Sequence, residues 1–201
     1  MLFILTGQIQ IGKTRWLQSM VARLEKRGIA TYGVLAPGDW IKHLGADGVA
    51  SYEKLGINNV LLPQHETIAF ARRNDLLASS NLEQSCTQSQ RAQLAWAIDD
   101  GAIRRVNDHF DALASSEQGT SGLLIVDELG RLELLRDEGL SAATRIIERG
   151  ATPLYPHALI VVREQLHDVA RNRFAESPWN GMQSIGPDAS GEKALMDAFA
   201  L

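Results

Sequence analysis

Three short apolar runs interrupt an otherwise mixed pattern of hydrophobic and polar positions along this chain. The second and third runs are rich in branched aliphatic side chains and end at charged residues. Runs of this length without an internal polar position are typical of strands that are buried on both faces of a parallel sheet. The three predicted strands comprise residues 2–5, 123–126 and 158–162.

Apolar residues at helical spacing fill most of the sequence between these runs. A first helix follows the first run and ends at Gly28, and residues 29–35 then predict a second strand. A longer pattern from Leu94 to Leu113 predicts an amphipathic helix of about 25 residues. Further helices are predicted at 140–147, 166–174 and 193–200. This alternation of strand and helix indicates an α/β fold: a mostly parallel sheet with helices on both faces.

Two segments depart from the alternating pattern. Glycine-punctuated short runs at about 40–73 predict a small β-ribbon insert at the edge of the sheet. The polar segment 74–88 lacks periodicity and is expected to be a mobile connection. No repeat or low-complexity linker divides the chain, so residues 1–201 are expected to form a single domain.

The composition of the chain argues against several kinds of binding partner. The chain has 201 residues, 45% of them hydrophobic, and a formal net charge of −4 with both signs interspersed. We therefore expect no nucleic-acid partner and no membrane surface. Cys86 is the only cysteine, which excludes an intramolecular disulfide and any zinc site that needs paired cysteines. With no targeting segment in the first run, a cytoplasmic location is expected.

A phosphate-binding loop stands between the first predicted strand and the first predicted helix. Residues 7–14 fit the pattern G-x-x-x-x-G-K-[ST], and both flanking contexts are those that the motif requires. Backbone N–H groups at a helix N-terminus bind phosphate, the lysine contacts the β- and γ-phosphates, and the threonine hydroxyl holds Mg²⁺. The predicted nucleotide-binding residues are Gly7, Gln8, Ile9, Gln10, Ile11, Gly12, Lys13, Thr14 and Arg15.

Two further strand ends carry candidate chemistry. Asp127 and Glu128 follow the second apolar run directly. Asp127 is predicted to hold Mg²⁺ opposite Thr14, and Glu128 to orient or deprotonate the attacking water. Arg163 follows the third run and could stabilise charge on the transferring phosphoryl group, or instead form a salt bridge with a neighbouring carboxylate.

The segment 127–134 resembles the signature D-E-[IL]-G-x-[LM]-E-L of the small P-loop nucleoside-triphosphatases of the thermophile phosphatase type, also called cancer-related nucleoside-triphosphatases. Segments 32–34, 69–73 and 161–163 resemble other parts of that family, so the likeness extends over roughly residues 2–175. The resemblance implies a P-loop NTPase fold and Mg²⁺-dependent hydrolysis of nucleoside triphosphates, whether ATP, GTP or another, with loose base selectivity.

The chain departs from the family in its phosphate loop. Ile9 and Gln10 occupy positions where the family has a proline and a second interior glycine, so we expect either backbone strain at Gln10 or a different loop shape. Two other functions stay open. One is a nucleotide-dependent switch or assembly factor that hydrolyses slowly and engages a protein partner through the 40–73 insert or the 74–88 segment. The other is a small-molecule kinase, although no acceptor-binding domain is evident in the sequence.

Overall fold

The computed structural model describes residues 1–45, 48–76, 87–91 and 96–200. Within these ranges nine strands form one mixed sheet in the order β6-β5-β4-β2-β7-β8-β1-β9, and β3 pairs with β4 beside this path. The strands are β1 (Leu2–Leu5), β2 (Ala30–Leu35), β3 (Gly38–Leu44), β4 (Ala50–Leu62), β5 (Glu66–Arg73), β6 (Trp96–Ile98), β7 (Gly122–Leu129), β8 (His157–Val162) and β9 (Met182–Ile185).

The parallel part of the sheet contains β2, β7, β8, β1 and β9. Strand β8 lies between β1 and β7 and pairs with both, so Leu5 is aligned with Val161 and Val126 with Ile160. All four residues of β1 are fully buried, as are nearly all of β7 and β8. The sequence-based prediction of buried parallel strands is therefore confirmed.

Helices cover both faces of the sheet, which confirms the predicted α/β architecture. One face packs against α1 and α7, and the other against α3, α5 and α6. No helix in the described part of the chain combines the length and apolar character needed to cross a bilayer. The helices are α1 (Lys13–Lys26), α2 (Thr87–Arg91), α3 (Asp100–Ser115), α4 (Arg131–Arg136), α5 (Ser141–Arg149), α6 (His167–Arg173) and α7 (Ala189–Asp197).

The insert extends the sheet with antiparallel strands. Strand β4 joins β2 on one side and β5 on the other, and β3 and β6 complete the extension. Strand β4 runs for 13 residues through Gly56, where the sequence pattern suggested a break. A Cβ at Gly56 would lie 2.9 Å from the carbonyl oxygen of Ala71. Glycine there permits a close approach of β5 rather than a turn.

The predicted 25-residue helix is wrong at its start. Ile98 belongs to β6, where it pairs with Ala71, and helix α3 begins only at Asp100. Asp99 ends the strand and caps the helix, since its carboxylate accepts hydrogen bonds from the N–H groups of Gly101 and Ala102. Leu94, the first residue of the predicted pattern, lies outside the described residues.

Three other segments differ from the sequence-based expectation. Strand β9, which pairs with β1, was not predicted. The last helix begins at Ala189 rather than near Lys193, because the Asp188 carboxylate accepts a hydrogen bond from the N–H of Gly191. Of the expected mobile connection at 74–88, the structure describes a 3₁₀ turn at Asn74–Leu76 and the start of α2; residues 77–86 lie outside the described ranges.

Candidate active site

The candidate site residues follow three neighbouring parallel strands. The phosphate loop follows β1, Asp127 and Glu128 lie near the end of β7, and Arg163 follows β8, which separates the other two strands. Ligands of open α/β sheets bind beyond the carboxyl ends of the strands. The topology thus brings the loop, the two acids and the arginine to one edge.

The phosphate loop contains three residues with positive φ. Gly7 and Gly12 have φ of 143° and 98°, which glycine adopts without steric cost. Gln10 has φ 64° and is exposed. A non-glycine residue in this left-handed region is strained, typically by about 1–3 kcal/mol. Gln10 therefore takes the backbone conformation that the departure from the family pattern led us to expect.

Lys13 folds back over the loop that precedes it. Its ammonium group donates hydrogen bonds to the carbonyl oxygens of Gly7 at 2.7 Å and Gln8 at 2.8 Å. Partial burial lowers the pKa of Lys13, while the nearby charge of Glu128 raises it. The side chain thus ties the start of the loop to the start of α1.

Asp127 is buried and connects three parts of the chain. Its Oδ2 accepts a hydrogen bond at 2.8 Å from the backbone N–H of Ala36, which follows β2. Its Oδ1 lies 3.4 Å from the hydroxyl oxygen of Thr14, the donor in this contact. Burial raises the pKa of Asp127 to about 6, and the neighbouring Glu128 contributes in the same direction.

The pair of Thr14 and Asp127 fits a Mg²⁺ ion in its choice of atoms. Both supply the hard oxygen ligands that Mg²⁺ prefers, and Mg²⁺ sites of this kind take their other ligands from phosphates and water. The described residues contain no cluster of three or more histidine, cysteine or acidic side chains that could hold a metal without such help.

Glu128 stands at a bulge in β7. Between Val126 and Leu129 the strand has one more residue than its partner β8, and Glu128 has φ 79°. A bulge redirects side chains, and here it lets two consecutive acids differ in exposure, with Asp127 buried and Glu128 partly exposed. The Nε atom of Arg163 donates a hydrogen bond to Glu128 Oε1 at 2.5 Å. Arg163 therefore forms a salt bridge with a residue that is itself a candidate for the chemistry.

Glu133 supports the segment that follows these acids. Its two carboxylate oxygens accept hydrogen bonds from the N–H groups of Gly130 at 2.8 Å and Leu140 at 3.0 Å. The first bond caps α4 and the second fixes the turn before α5. Gly139 lies in this turn with φ 66°, and a Cβ there would overlap Glu133 Oε1. Glu133 thus holds the backbone beside Glu128 in place.

Lys54 is a site residue that the sequence did not reveal. Its ammonium nitrogen lies 5.2 Å from the ring centre of Trp96 and 5.9 Å from that of Trp40. Burial lowers the pKa of Lys54, and the charges of Glu128 and Asp127 act in the opposite direction. In the sequence Lys54 is only a lysine in the predicted ribbon, which does not mark a functional residue. Its position becomes clear from the pairing of β3 with β4, which sets Trp40 opposite Lys54.

The other predicted nucleotide-binding residues lie on the outside of the loop. Gln8, Ile9 and Ile11 are exposed, and Arg15 is exposed on the first turn of α1. In the phosphate-loop hypothesis these residues contact phosphate through their backbone N–H groups and not through their side chains.

Two solved structures share this fold over nearly the whole chain. A human cancer-related nucleoside triphosphatase matches with a TM-score of 0.60 at 16% sequence identity, over 99% of this chain and 95% of that one. THEP1 from the hyperthermophile Aquifex aeolicus matches with a TM-score of 0.54 at 14% identity, over 99% and 96%. Neither a protein-family model nor a curated protein matches the sequence. The chain therefore has the α/β fold of P-loop nucleoside triphosphatases.

The buried Asp127 carboxylate yields a prediction about stability. An aspartate with a pKa of 3.8 in the unfolded chain and about 6 in the folded protein binds more protons when folded, so stability falls as pH rises between these values. We expect Asp127→Asn to stabilise the protein above pH 6, by at most roughly 3 kcal/mol, and the gain to shrink as pH falls toward 4. Urea unfolding at several pH values, with a metal chelator present, measures the difference.

Asp108→Asn is the matched control, since Asp108 is an exposed aspartate on α3. It should change stability little at any pH. A gain for Asp127→Asn that did not vary with pH, or a loss at pH 7.5, would contradict the assigned cause.

Proposed function

We propose that this chain is a Mg²⁺-dependent nucleoside-triphosphate phosphohydrolase that releases the γ-phosphate with broad base specificity. The observation that carries the proposal is the contact between Thr14 of the phosphate loop and Asp127 of the acid-bearing strand. A loop and an acid joined in this way form the pair that phosphoryl-transfer sites use around a metal-bound phosphate chain. ATP, GTP or another nucleoside triphosphate is the proposed substrate.

The phosphate loop and α1 supply the binding energy in this proposal. Backbone N–H groups at the N-terminus of a helix attract anions through hydrogen bonds and the helix dipole. The Lys13 ammonium, at hydrogen-bonding distance from the loop carbonyls of Gly7 and Gln8, exchanges these contacts for oxygens of the β- and γ-phosphates. All of these groups act on phosphates, which every nucleoside triphosphate shares, and this supports loose base selectivity.

Glu128 and Arg163 act at the γ-phosphate. A bound Mg²⁺ ion, held by Thr14 and Asp127, would neutralise charge on the phosphate oxygens. Glu128 accepts a hydrogen bond from the attacking water and orients it in line with the bond that breaks. Because Arg163 uses only its Nε in the bond to Glu128, its terminal nitrogens keep donors for the oxygens of the transferring group.

A second candidate function is a nucleotide-dependent switch that binds a protein partner through the insert. The observation that favours it is a set of exposed apolar side chains on the β3–β4 hairpin, with Trp40, Leu44 and Tyr52 each at least 45% exposed. Exposed apolar patches often mark sites of protein interaction. Such a switch would hold its nucleotide tightly and hydrolyse it slowly without its partner, so turnover by the isolated protein distinguishes the two functions.

Replacement of the loop lysine tests the proposed function directly. Lys13→Ala removes the cation from the phosphates while alanine suits the first turn of a helix, so we expect hydrolysis to be lost and the fold to be kept. Phosphate release from ATP with Mg²⁺ measures the activity, and circular dichroism checks the fold. Lys26→Ala, at the exposed opposite end of α1, is the control and should stay fully active. Lys13→Ala activity within a few-fold of the wild type would refute the phosphate-loop assignment.

Glu128→Gln separates chemistry from binding. The amide keeps the size of the side chain but is a far weaker base, so kcat should fall about 10²-fold or more while nucleotide affinity changes little. Single-turnover kinetics and calorimetry with a non-hydrolysable triphosphate measure the two quantities. Glu164→Gln removes a charge close by on an exposed residue and should leave kcat nearly unchanged. Equal losses of binding and rate in Glu128→Gln would exclude Glu128 as the water-orienting base.

Gln10→Gly tests the strained loop position. Glycine adopts φ 64° without strain and allows a closer approach of backbone to phosphate, so we expect nucleotide binding to tighten. Gln8→Gly makes the same substitution where φ is not positive and should not tighten binding. If the Gln10 amide instead donates to a phosphate, its loss costs about 1.5–3 kcal/mol, and a tenfold weaker affinity by calorimetry would show this.

A further inference from the structure

A cavity of about 410 Å³ opens beside the two acids of β7. Its walls come from strands β4, β5 and β6 of the insert, from the segment around α4, and from the turn after β8. The volume lies in the range of pockets that bind small organic molecules. Asp127, Glu128 and Arg163 form part of its lining, so the cavity adjoins the proposed site of phosphoryl transfer.

The cavity extends from Glu128 toward the insert, and the phosphate loop is not part of its lining. The loop follows β1, and the acids stand two strands away on β7, on the side that leads to β2 and β4. None of the residues 7–14 lines the cavity, whereas residues from β4, β5 and β6 do. A triphosphate bound along the loop with its γ-phosphate near Glu128 would have that phosphate beside the cavity. A molecule in the cavity would face the γ-phosphate from the side of the attacking group.

Asn59 provides the second, independent observation. This β4 residue lines the cavity and is only 1% exposed, and its amide Nδ2 has no hydrogen-bond partner among the described residues. Buried donors are nearly always paired, and an unpaired one requires an explanation. An acceptor atom of a bound molecule, such as a carbonyl oxygen or a ring nitrogen, satisfies this donor.

The walls indicate the chemistry of the occupant. The rings of Phe70 and Trp96 line one part of the cavity, and Leu140 adds apolar surface opposite the strands. Such walls favour a flat ring system. The lining carries three carboxylates, of Asp127, Glu128 and Glu133, against the two guanidinium groups of Arg131 and Arg163. With the nearby cation of Lys54 the two signs are equal in number, so the surroundings give an anionic occupant no net attraction and suit a neutral one.

We propose that the cavity binds a nucleoside and that this chain transfers the γ-phosphoryl group to its 5′-hydroxyl. The proposal rests on the proposed triphosphate site. The base packs against Phe70 and Trp96 and accepts a hydrogen bond from the amide Nδ2 of Asn59. The hydroxyl takes the place of water at Glu128. Its oxygen forms a bond to the γ-phosphorus, the bond from that phosphorus to the β–γ bridging oxygen breaks, and the hydroxyl proton passes to Glu128. The products are a nucleoside diphosphate and a nucleoside monophosphate.

A radiolabel experiment tests the transfer. The full chain is incubated with γ-³²P-ATP, Mg²⁺ and, separately, adenosine, guanosine, cytidine, uridine or thymidine, and labelled monophosphate and free phosphate are separated and counted. We expect at least one nucleoside to become labelled. If free phosphate forms but no nucleoside is labelled, the acceptor site is refuted and the hydrolase function stands. If neither product forms, the proposed function itself has failed.

Two cavity variants assign the transfer to this site. Asn59→Ala removes the buried donor, and Ala71→Leu places three extra carbons into the cavity from β5. Each should lower the ratio of labelled nucleoside to free phosphate at least tenfold. The ratio is measured within one sample, so it does not depend on how much of a variant is folded. Ala69→Leu makes the same change at an exposed position of β5 that does not line the cavity and should keep the wild-type ratio. Unchanged ratios in both cavity variants would overturn the proposal.

Discussion

The site depends on one buried carboxylate. Asp127 accepts a hydrogen bond from the backbone after β2 and lies within reach of the Thr14 hydroxyl at the start of α1, so it connects β7 with the end of β2 and with the helix that follows the phosphate loop. Burial disfavours the charged form of this carboxylate more than the two hydrogen bonds stabilise it, and its pKa therefore lies near 6. A Mg²⁺ ion held by Thr14 and Asp127, as proposed above, would offset this cost. Phosphate loop, acid strand and insert are thereby held in a fixed relation.

Much of this arrangement can be predicted from local patterns. The short apolar runs in β1, β7 and β8, rich in branched aliphatic residues, favour buried strands, and the glycine, lysine and threonine of the loop identify it as a phosphate-binding loop. The same patterns give the wrong secondary structure where the pairing of distant strands determines it. Ile98 fits the helical period of α3 as well as a strand, and only its pairing with Ala71 together with the cap at Asp99 places it in β6. Strand β9 is four residues long and two of its positions are polar and exposed, so its sequence pattern cannot be distinguished from that of a loop.

The insert accounts for the parts of the site that the sequence does not reveal. Lys54 lies opposite Trp40 through the register between β3 and β4, and Asn59 comes to the cavity through the pairing of β4 with β2 and β5. Both depend on contacts between residues far apart in the chain, for which no local pattern exists. Because β4 continues the central sheet, the insert is a wall of the site rather than an appendage. A separate acceptor domain is not needed for a pocket to exist beside Asp127 and Glu128.

The backbone at Glu128 carries a consequence for how this position can evolve. Its φ of 79° suits glycine, so a glycine there would relax the bulge, but it would also remove the carboxylate that Arg163 contacts. A β-branched side chain would keep neither advantage. Stability and the proposed chemistry therefore oppose each other at this single residue. Substitutions selected for stability alone would favour glycine there and would remove the carboxylate from the site.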